Sequence, residues 1–445
     1  MEQKAGVLYT MLSVWIRLGI RVYFSKVSLR GFENIPQKGA LMLVANHQNA
    51  LLDALVVAVH IKRPIYFITR ADVFNRPLIA RFLNAINMLP IFRQRDNVDT
   101  ITLNKPIFEK TAKILHQQGA ILIFPEGNQA RLRNIRPLQK GFARMGFGAA
   151  ELSNFENSIQ IVPIGINYTN HTESRGSIFL QAGNPVLFKD YYPLFIENQQ
   201  KALKEIASAI SPLIQSLIIH IPNSDDYPVI NRLSSFYLKV RSENLNLKND
   251  DFLLHQLEQQ IADSLGNERI INPENFKSIT GLFDDFNRNN KNYKLSPETL
   301  AKLPIPFLNY ALQWLMILLI MPVALFGWVN HLLAISLTKY IVKSNVKDHN
   351  FLASVKFLSA MILFSLFYIL QTALVSLVFG NWMIAVLYFF FLPISGKAAL
   401  FCQDKLKFLL TQRKYRFLYK QNNSELLFLF RKLIEKLNQV LTLQS

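Results

Sequence analysis

The stretch 41–53 reads Leu-Met-Leu-Val-Ala-Asn-His-Gln-Asn-Ala-Leu-Leu-Asp, which sets His47 and Asp53 six positions apart. An imidazole titrates near neutral pH. A carboxylate beside it fixes its tautomer and stabilises its charged form, and together they make a general base. The apolar run Leu41–Ala45 predicts a short buried strand, and strand ends in α/β domains open onto the crevice where ligands bind. Residues six apart on a straight α-helix are rotated by about 600° and face different ways. His47 is therefore expected on the entry turn of a helix, with Asp53 reaching back from inside it to accept from Nδ1 and leave Nε2 free. The plainer reading of these residues is a loop histidine beside a helix-capping aspartate.

Three further stretches carry chemistry-bearing residues. In Leu89-Pro-Ile-Phe92-Arg93-Gln-Arg95 a basic pair follows an apolar run. In Ile121-Leu-Ile-Phe124-Pro125-Glu126-Gly127 a strand candidate ends in Pro-Glu-Gly. In Ile161-Val162-Pro163-Ile164-Gly165 a strand candidate is broken by a proline. Singly, each has an ordinary explanation: solvated arginines, a turn whose glycine supplies backbone freedom, and an edge strand. Neither a Gly-x-Ser-x-Gly elbow nor a metal-ligand cluster is present in the sequence. The single cysteine, Cys402, lies far from these motifs and excludes an intrachain disulfide.

Taken in order and at this spacing, the four stretches resemble the glycerolipid acyltransferase superfamily, the phospholipid/glycerol acyltransferases. The family pattern is a His and an Asp, an arginine block, Phe-Pro-Glu-Gly and a Val-Pro strand, and the resemblance covers about residues 30 to 190. Two departures stand out. Five residues separate His47 from Asp53 where the commonest form of the family has four, which resembles the glycerol-3-phosphate and dihydroxyacetone-phosphate acyltransferase branch typified by fungal enzymes. Phe-Pro-Glu-Gly is followed by Asn128-Gln129-Ala130-Arg131 rather than by small hydroxyl residues, which leaves the basic contact of this motif open between Arg131 and Arg133. The resemblance implies that His47 deprotonates an acceptor hydroxyl, that the alkoxide attacks an acyl thioester without an acyl-enzyme, and that Arg93 binds the acceptor's phosphate, a guanidinium being able to donate two parallel bonds. Asn46, Glu126, Gly127, Arg131 and Lys140 complete the expected substrate contacts. Glu126 is read either as holding an acceptor hydroxyl or as pairing with an arginine of the phosphate site.

The elements that must position these residues follow from patterning. Short apolar runs at 41–45, 65–69, 120–124, 159–166 and 177–181 alternate with helix candidates at 50–60, 76–87, 103–118 and 138–152, which predicts a layered α/β domain with a mostly parallel sheet over 30–190. Residues 1–29 hold an amphipathic helix over 8–24, read as membrane-associated or as packed on the domain's own core. Over 191–300, segments 194–220, 227–244 and 250–265 look helical, and 267–297, rich in Asn, Asp and Lys, reads as loop or loosely held helix.

The chain is half hydrophobic, with 34 phenylalanines, and its mean hydropathy is positive. This points to a soluble part joined to a membrane part. Residues 303–338 and 357–396 contain no Asp, Glu, Lys or Arg, and at roughly 20 residues per span each run is long enough for two helices. With breaks expected at Phe326–Asn330 and Gly380–Trp382, residues 301–400 are predicted to form two membrane-embedded helical hairpins, followed by a basic amphipathic tail over 401–445. The net charge of +19 suits an anionic membrane or anionic substrates. Nucleic acid is disfavoured, because no zinc-finger spacing or strongly basic helix is present.

The expected protein is thus a membrane-bound O-acyltransferase that needs no cofactor. It would esterify glycerol-3-phosphate or dihydroxyacetone phosphate from acyl-CoA or acyl carrier protein. It would sit in the inner (cytoplasmic) membrane with its site facing the cytoplasm. Rival readings are a lysophosphatidic acid or other lysophospholipid acyltransferase, a non-catalytic lipid-binding membrane protein, and a thioester hydrolase.

Overall fold

The computed structural model describes residues 6–442 apart from 94–97, 223, 246, 248–249, 347 and 421–424. Two compact units emerge, Met1–His220 with Val342–Met361, and Ile221–Ile341 with Ile362–Ser445. The first contains α1 (Val7–Tyr23), β1 (Lys26–Arg30), β2 (Ala40–Ala45), α2 (Leu51–Ala58), β3 (Tyr66–Arg70), α3 (Pro77–Ala85), β4 (Met88–Ile91), α4 (Thr100–His116), β5 (Ala120–Ile123), α5 (Gly141–Glu151), β6 (Ile159–Tyr168), β7 (Ser177–Ala182), β8 (Val186–Leu187), α6 (Tyr192–Glu197) and α7 (Gln199–Gln215). Its eight strands form one sheet in the order β1-β7-β6-β2-β5-β3-β4, with β8 also pairing β6.

β2 is buried along its whole length because it lies in the middle of the sheet, parallel to β5 on one side and β6 on the other. Among the described strands, β7 and β8 pair antiparallel with β6, and β1, parallel to β7, shares their opposite direction. Side chains alternate across the two faces. Leu41, Leu43 and Ala45 of β2 and Val162, Ile164, Ile166 and Tyr168 of β6 pack with α1 and α2. Met42 and Val44, with Ile159 and Ile161, pack with α4, α5 and α7. Pro163 does not mark an edge. It sits inside β6 between the residues that pair β8 and those that pair β7, so its missing N–H falls in the gap between those partners.

α1 packs on the domain's core along one face. Ile20 and Tyr23 are buried, and the Arg17 guanidinium Nε donates to Val59 O at 2.9 Å. The opposite stripe, Val7, Met11, Val14, Leu18 and Val22, is exposed.

The second unit contains α8 (Tyr227–Asn244), α9 (Asp251–Ile271), α10 (Pro273–Asn290), α11 (Pro297–Leu300), α12 (Phe307–Asn345, whose last four residues belong to the first unit), α13 (Leu352–Phe379, whose first ten residues belong to the first unit), α14 (Trp382–Lys420) and α15 (Glu425–Thr442). Much of the stretch 267–297, expected as loop or loosely held helix, is helix. Asn272 accepts from Asn275 N to cap α10, and Phe276, Ile279, Phe283 and Phe286 recur at helical spacing and are buried. The polar composition concealed that stripe.

The apolar region also departs from expectation: among the described residues it holds three long helices rather than four hairpin arms. The turn at Gly380 exists, with φ +59, but α12 runs unbroken through Phe326–Asn330. Gly327 and Asn330, which looked like turn residues, have packing roles instead. A Cβ on Gly327 would lie 2.2 Å from Ser395 O. The Asn330 side chain accepts from Tyr388 at 2.5 Å, and Asn330 O accepts from Gln371 at 2.8 Å. His331 Nε2 and the Tyr368 hydroxyl share a bond of 2.8 Å. Small residues that allow close approach and polar side chains that bond across helices are what apolar helices use to associate.

Candidate active site

Strand register alone brings two of the motifs together. Val44 of β2 stands opposite Ile123 of β5, and three residues beyond each lie His47 and Glu126. The His47 N–H donates to Glu126 Oε1 at 2.8 Å. His47 stacks on Phe124 with ring centroids 4.1 Å apart, so the first residue of Phe-Pro-Glu-Gly forms one wall of the imidazole's slot.

Asp53 is completely buried, on the first turn of α2. Its Oδ2 accepts from His47 Nδ1 at 2.8 Å, from Gln48 N at 2.7 Å and from Asn49 N at 2.7 Å. Its Oδ1 accepts from the Tyr168 hydroxyl at 2.7 Å. Four donors hold the carboxylate in one orientation, and it holds the imidazole in turn. Nothing among the described residues bonds Nε2 of His47, whose side chain is 15% exposed. Burial and the Asp53 carboxylate hold the Tyr168 hydroxyl well above its ordinary pKa, so it stays a donor.

Glu126 pairs with Arg136, which is not among the arginines expected at the phosphate. Its Nε donates to Glu126 Oε2, and its two Nη atoms reach the Asn128 side chain and backbone and His47 O. Both Glu126 oxygens are therefore engaged within the protein. Burial pushes the Glu126 carboxyl up and Arg136 pulls it back down. Gly127 has φ +73, where a side chain would be strained, and a Cβ there would lie 3.3 Å from Gln139 Cγ. Asn46 is buried and bonded in both directions to the Ile166 backbone, at 3.0 and 2.7 Å. Its amide clasps β2 to β6 and is not open to a substrate.

The cations are spread out. Arg93 follows β4, at the same end of the sheet as His47 but three strands away, roughly 14 Å at ordinary strand spacing. The Phe92 backbone before it is fixed in both directions by the Asn104 amide. The other arginine of that motif, Arg95, lies outside the described residues. Lys140 is exposed just before α5; its neighbour Gln139 donates to Pro125 O at 2.7 Å. Arg133 donates to Tyr168 O at 3.2 Å. Arg131 differs from it: Nε and Nη2 are buried with no hydrogen-bond partner among the described residues. Burial pulls its pKa below the ordinary value while Asp348 pulls it back up. Between Arg131 and Arg133, Arg131 has the donors to spare.

Sequence reasoning missed Tyr168, Arg136 and His171. His171 Nε2 and Gln48 Oε1 are 3.0 Å apart, and burial together with Arg133 lowers its pKa to about 4. No cluster of three or more His, Cys, Asp or Glu that could hold a metal occurs among the described residues.

Residues 26–167 match the family model described as Acyltransferase. The chain is similar to Glycerol-3-phosphate O-acyltransferase 2 of Saccharomyces cerevisiae, 23% identical over 34% of this chain and 20% of that protein. It is also similar to Glycerol-3-phosphate O-acyltransferase 1 of the same yeast, 26% identical over 32% of this chain and 19% of that protein. The 1-acyl-sn-glycerol-3-phosphate acyltransferase of Borreliella burgdorferi is 24% identical over 38% of this chain and 63% of that protein. The match thus spans about a fifth of the yeast proteins and under two thirds of the bacterial one. Among solved structures, the 1-acyl-sn-glycerophosphate (LPA) acyltransferase PlsC from Thermotoga maritima aligns with a TM-score of 0.35 and 16% identity, over 47% of this chain and 78% of that one. The four motifs of the sequence all fall within residues 26–167, the stretch that matches the Acyltransferase family model.

Proposed function

We propose that this protein transfers an acyl chain from a thioester of CoA or acyl carrier protein to the free hydroxyl of glycerol-3-phosphate or a close relative, in phospholipid synthesis. The observation that carries the proposal is the His47–Asp53 pair with Nε2 open. In this reading Nε2 takes the proton of the acceptor hydroxyl and the oxygen attacks the thioester carbonyl. The C–S bond then breaks, and the imidazolium returns its proton to the departing thiolate. Asp53, held by four donors, stabilises the imidazolium in between. Removing such a base costs on the order of 10²–10⁴ in rate.

Arg131 is the favoured phosphate contact because its buried donors lack partners, an arrangement that is costly unless an anion satisfies it. Arg93 is the second. The yeast relatives support glycerol-3-phosphate as acceptor; the bacterial relative supports the neighbouring reading, in which the acceptor is 1-acyl-glycerol-3-phosphate.

Three helices long and apolar enough to cross a membrane and the exposed apolar stripe of α1 support membrane attachment. Lys339, Lys343 and Lys356, around the α12–α13 junction, favour the cytoplasmic side of the inner membrane. Purified protein supplied with glycerol-3-phosphate, dihydroxyacetone phosphate or lysophosphatidic acid and one acyl donor tests the assignment. Esterification of the first is expected. Thioester cleavage that no acceptor stimulates would identify a hydrolase instead.

A further inference from the structure

The five-residue interval between His47 and Asp53 is closed by an unusual turn. Ala50, the residue before α2, has φ 48 and ψ −128, a conformation that suits glycine. As an alanine it has no side chain with which to cap the helix, and the backbone N–H groups that Asp53 accepts are those of Gln48 and Asn49, both before Ala50. The turn's own backbone bond, from Leu52 N to Asn49 O at 3.1 Å, closes residues 49–52, and a second group braces the same two atoms.

That group comes from about 300 residues downstream. Ser354, on the first turn of α13 and 4% exposed, accepts from Leu52 N at 3.0 Å and donates to Asn49 O at 2.8 Å. Its hydroxyl thus bridges the two residues that flank Ala50-Leu51. Ala353 and Phe357 on either side of it are buried in the same core as Leu52, Leu55 and Tyr23, and Phe357 packs edge-on against Tyr23 at 5.4 Å. The segment that links two apolar helices is in this way part of the unit that carries His47.

We propose that Ser354 is a positioning residue for the His47–Asp53 pair: a hydroxyl supplied from the start of a membrane helix holds the strained turn that the longer spacing requires. The inference rests on the reading of His47 as the base. It predicts that the acyltransferase domain cut free of α13 has a misaligned base.

The test uses the full-length protein in detergent. Ser354→Ala should lower kcat roughly tenfold while the KM of acceptor and donor each stay within about twofold, because the hydroxyl touches neither substrate. Ser354→Cys keeps the shape with a weaker donor and should lose less. Adding Ala50→Gly to Ser354→Ala should recover most of the loss, since glycine adopts the turn without help. A merely structural serine would not be rescued at Ala50. Wild-type kcat in Ser354→Ala, or a loss that Ala50→Gly leaves unchanged, overturns the proposal. His47→Ala, made in parallel, keeps the two readings apart: activity there removes the base assignment, whereas an inactive His47→Ala beside a normal Ser354→Ala removes only the role of Ser354.

Discussion

At the residue scale the site is a set of nested restraints around one imidazole, and its members are expected to fail differently. Tyr168→Phe removes one of the four donors to Asp53 without touching substrate, so kcat should fall about five- to tenfold with KM values unchanged. Unchanged kcat would show that Asp53 needs only the other three. Arg131→Ala should raise the acceptor's KM about 10- to 100-fold and leave the donor's alone, the scale of one charge-assisted bond. Equal effects on both substrates would assign Arg131 to structure. His47, Asp53, Glu126 and Gly127 were legible because their types and spacing carry the chemistry locally. Arg136 was not, because an arginine ten residues after Glu126 carries no local signal until the loop folds back. Tyr168 left a trace that went unread: it shares the parity of Ile164 and Ile166 on β6, and so the face on which α2 must pack.

At the scale of elements, the loop after β5 matters as much as the strands. Arg136 ties Glu126, Asn128 and His47 O together through three different nitrogens, an arrangement a lysine cannot reproduce. Arg136→Lys should therefore cut kcat at least tenfold and lower the melting temperature, as measured by steady-state kinetics and thermal unfolding in detergent. A silent Arg136→Lys would contradict this account of the loop. The loop after β6 carries a pH signature. His171 is held neutral with a pKa of about 4 against an ordinary 6.5. The unfolded chain protonates first as pH falls, so this stability is present above about 6.5 and is lost as pH drops toward 4. For this half-buried group the effect is on the order of 1–2 kcal/mol between pH 7 and pH 5. His171→Gln should flatten the fall in melting temperature over that range; an equal fall in both proteins would contradict it. The central strands and the helices that follow them were legible from apolar runs. β1, only partly buried with charged residues at both ends, and α10, with its apolar stripe hidden in polar composition, were not.

At the scale of the whole molecule, three of the described helices are long and apolar enough to cross a membrane. His220 and the segment 342–361 belong to one compact unit, and between them α12 is the one described helix apolar and long enough to cross. α12 is one continuous helix with Pro322 inside it, and α13 and α14 are joined at Gly380. Tyr415 near the end of α14 donates to Lys302 O, just before α12. The four-armed count expected from hydropathy was wrong because Gly327 and Asn330 serve packing, a distinction that composition cannot make. The proposed cytoplasmic placement of the α12–α13 junction predicts that, in a Cys402→Ser background, a cysteine at Ser344 resists an impermeant reagent in intact cells; labelling at Ser344 would contradict it. The central claim is chemical, and one measurement addresses it most directly: the rate at which purified full-length protein and its His47→Ala variant esterify glycerol-3-phosphate from an acyl thioester. Ester formation by the wild type that drops by two to four orders of magnitude in a folded His47→Ala variant is the predicted result, and near-normal turnover in that variant would contradict the account.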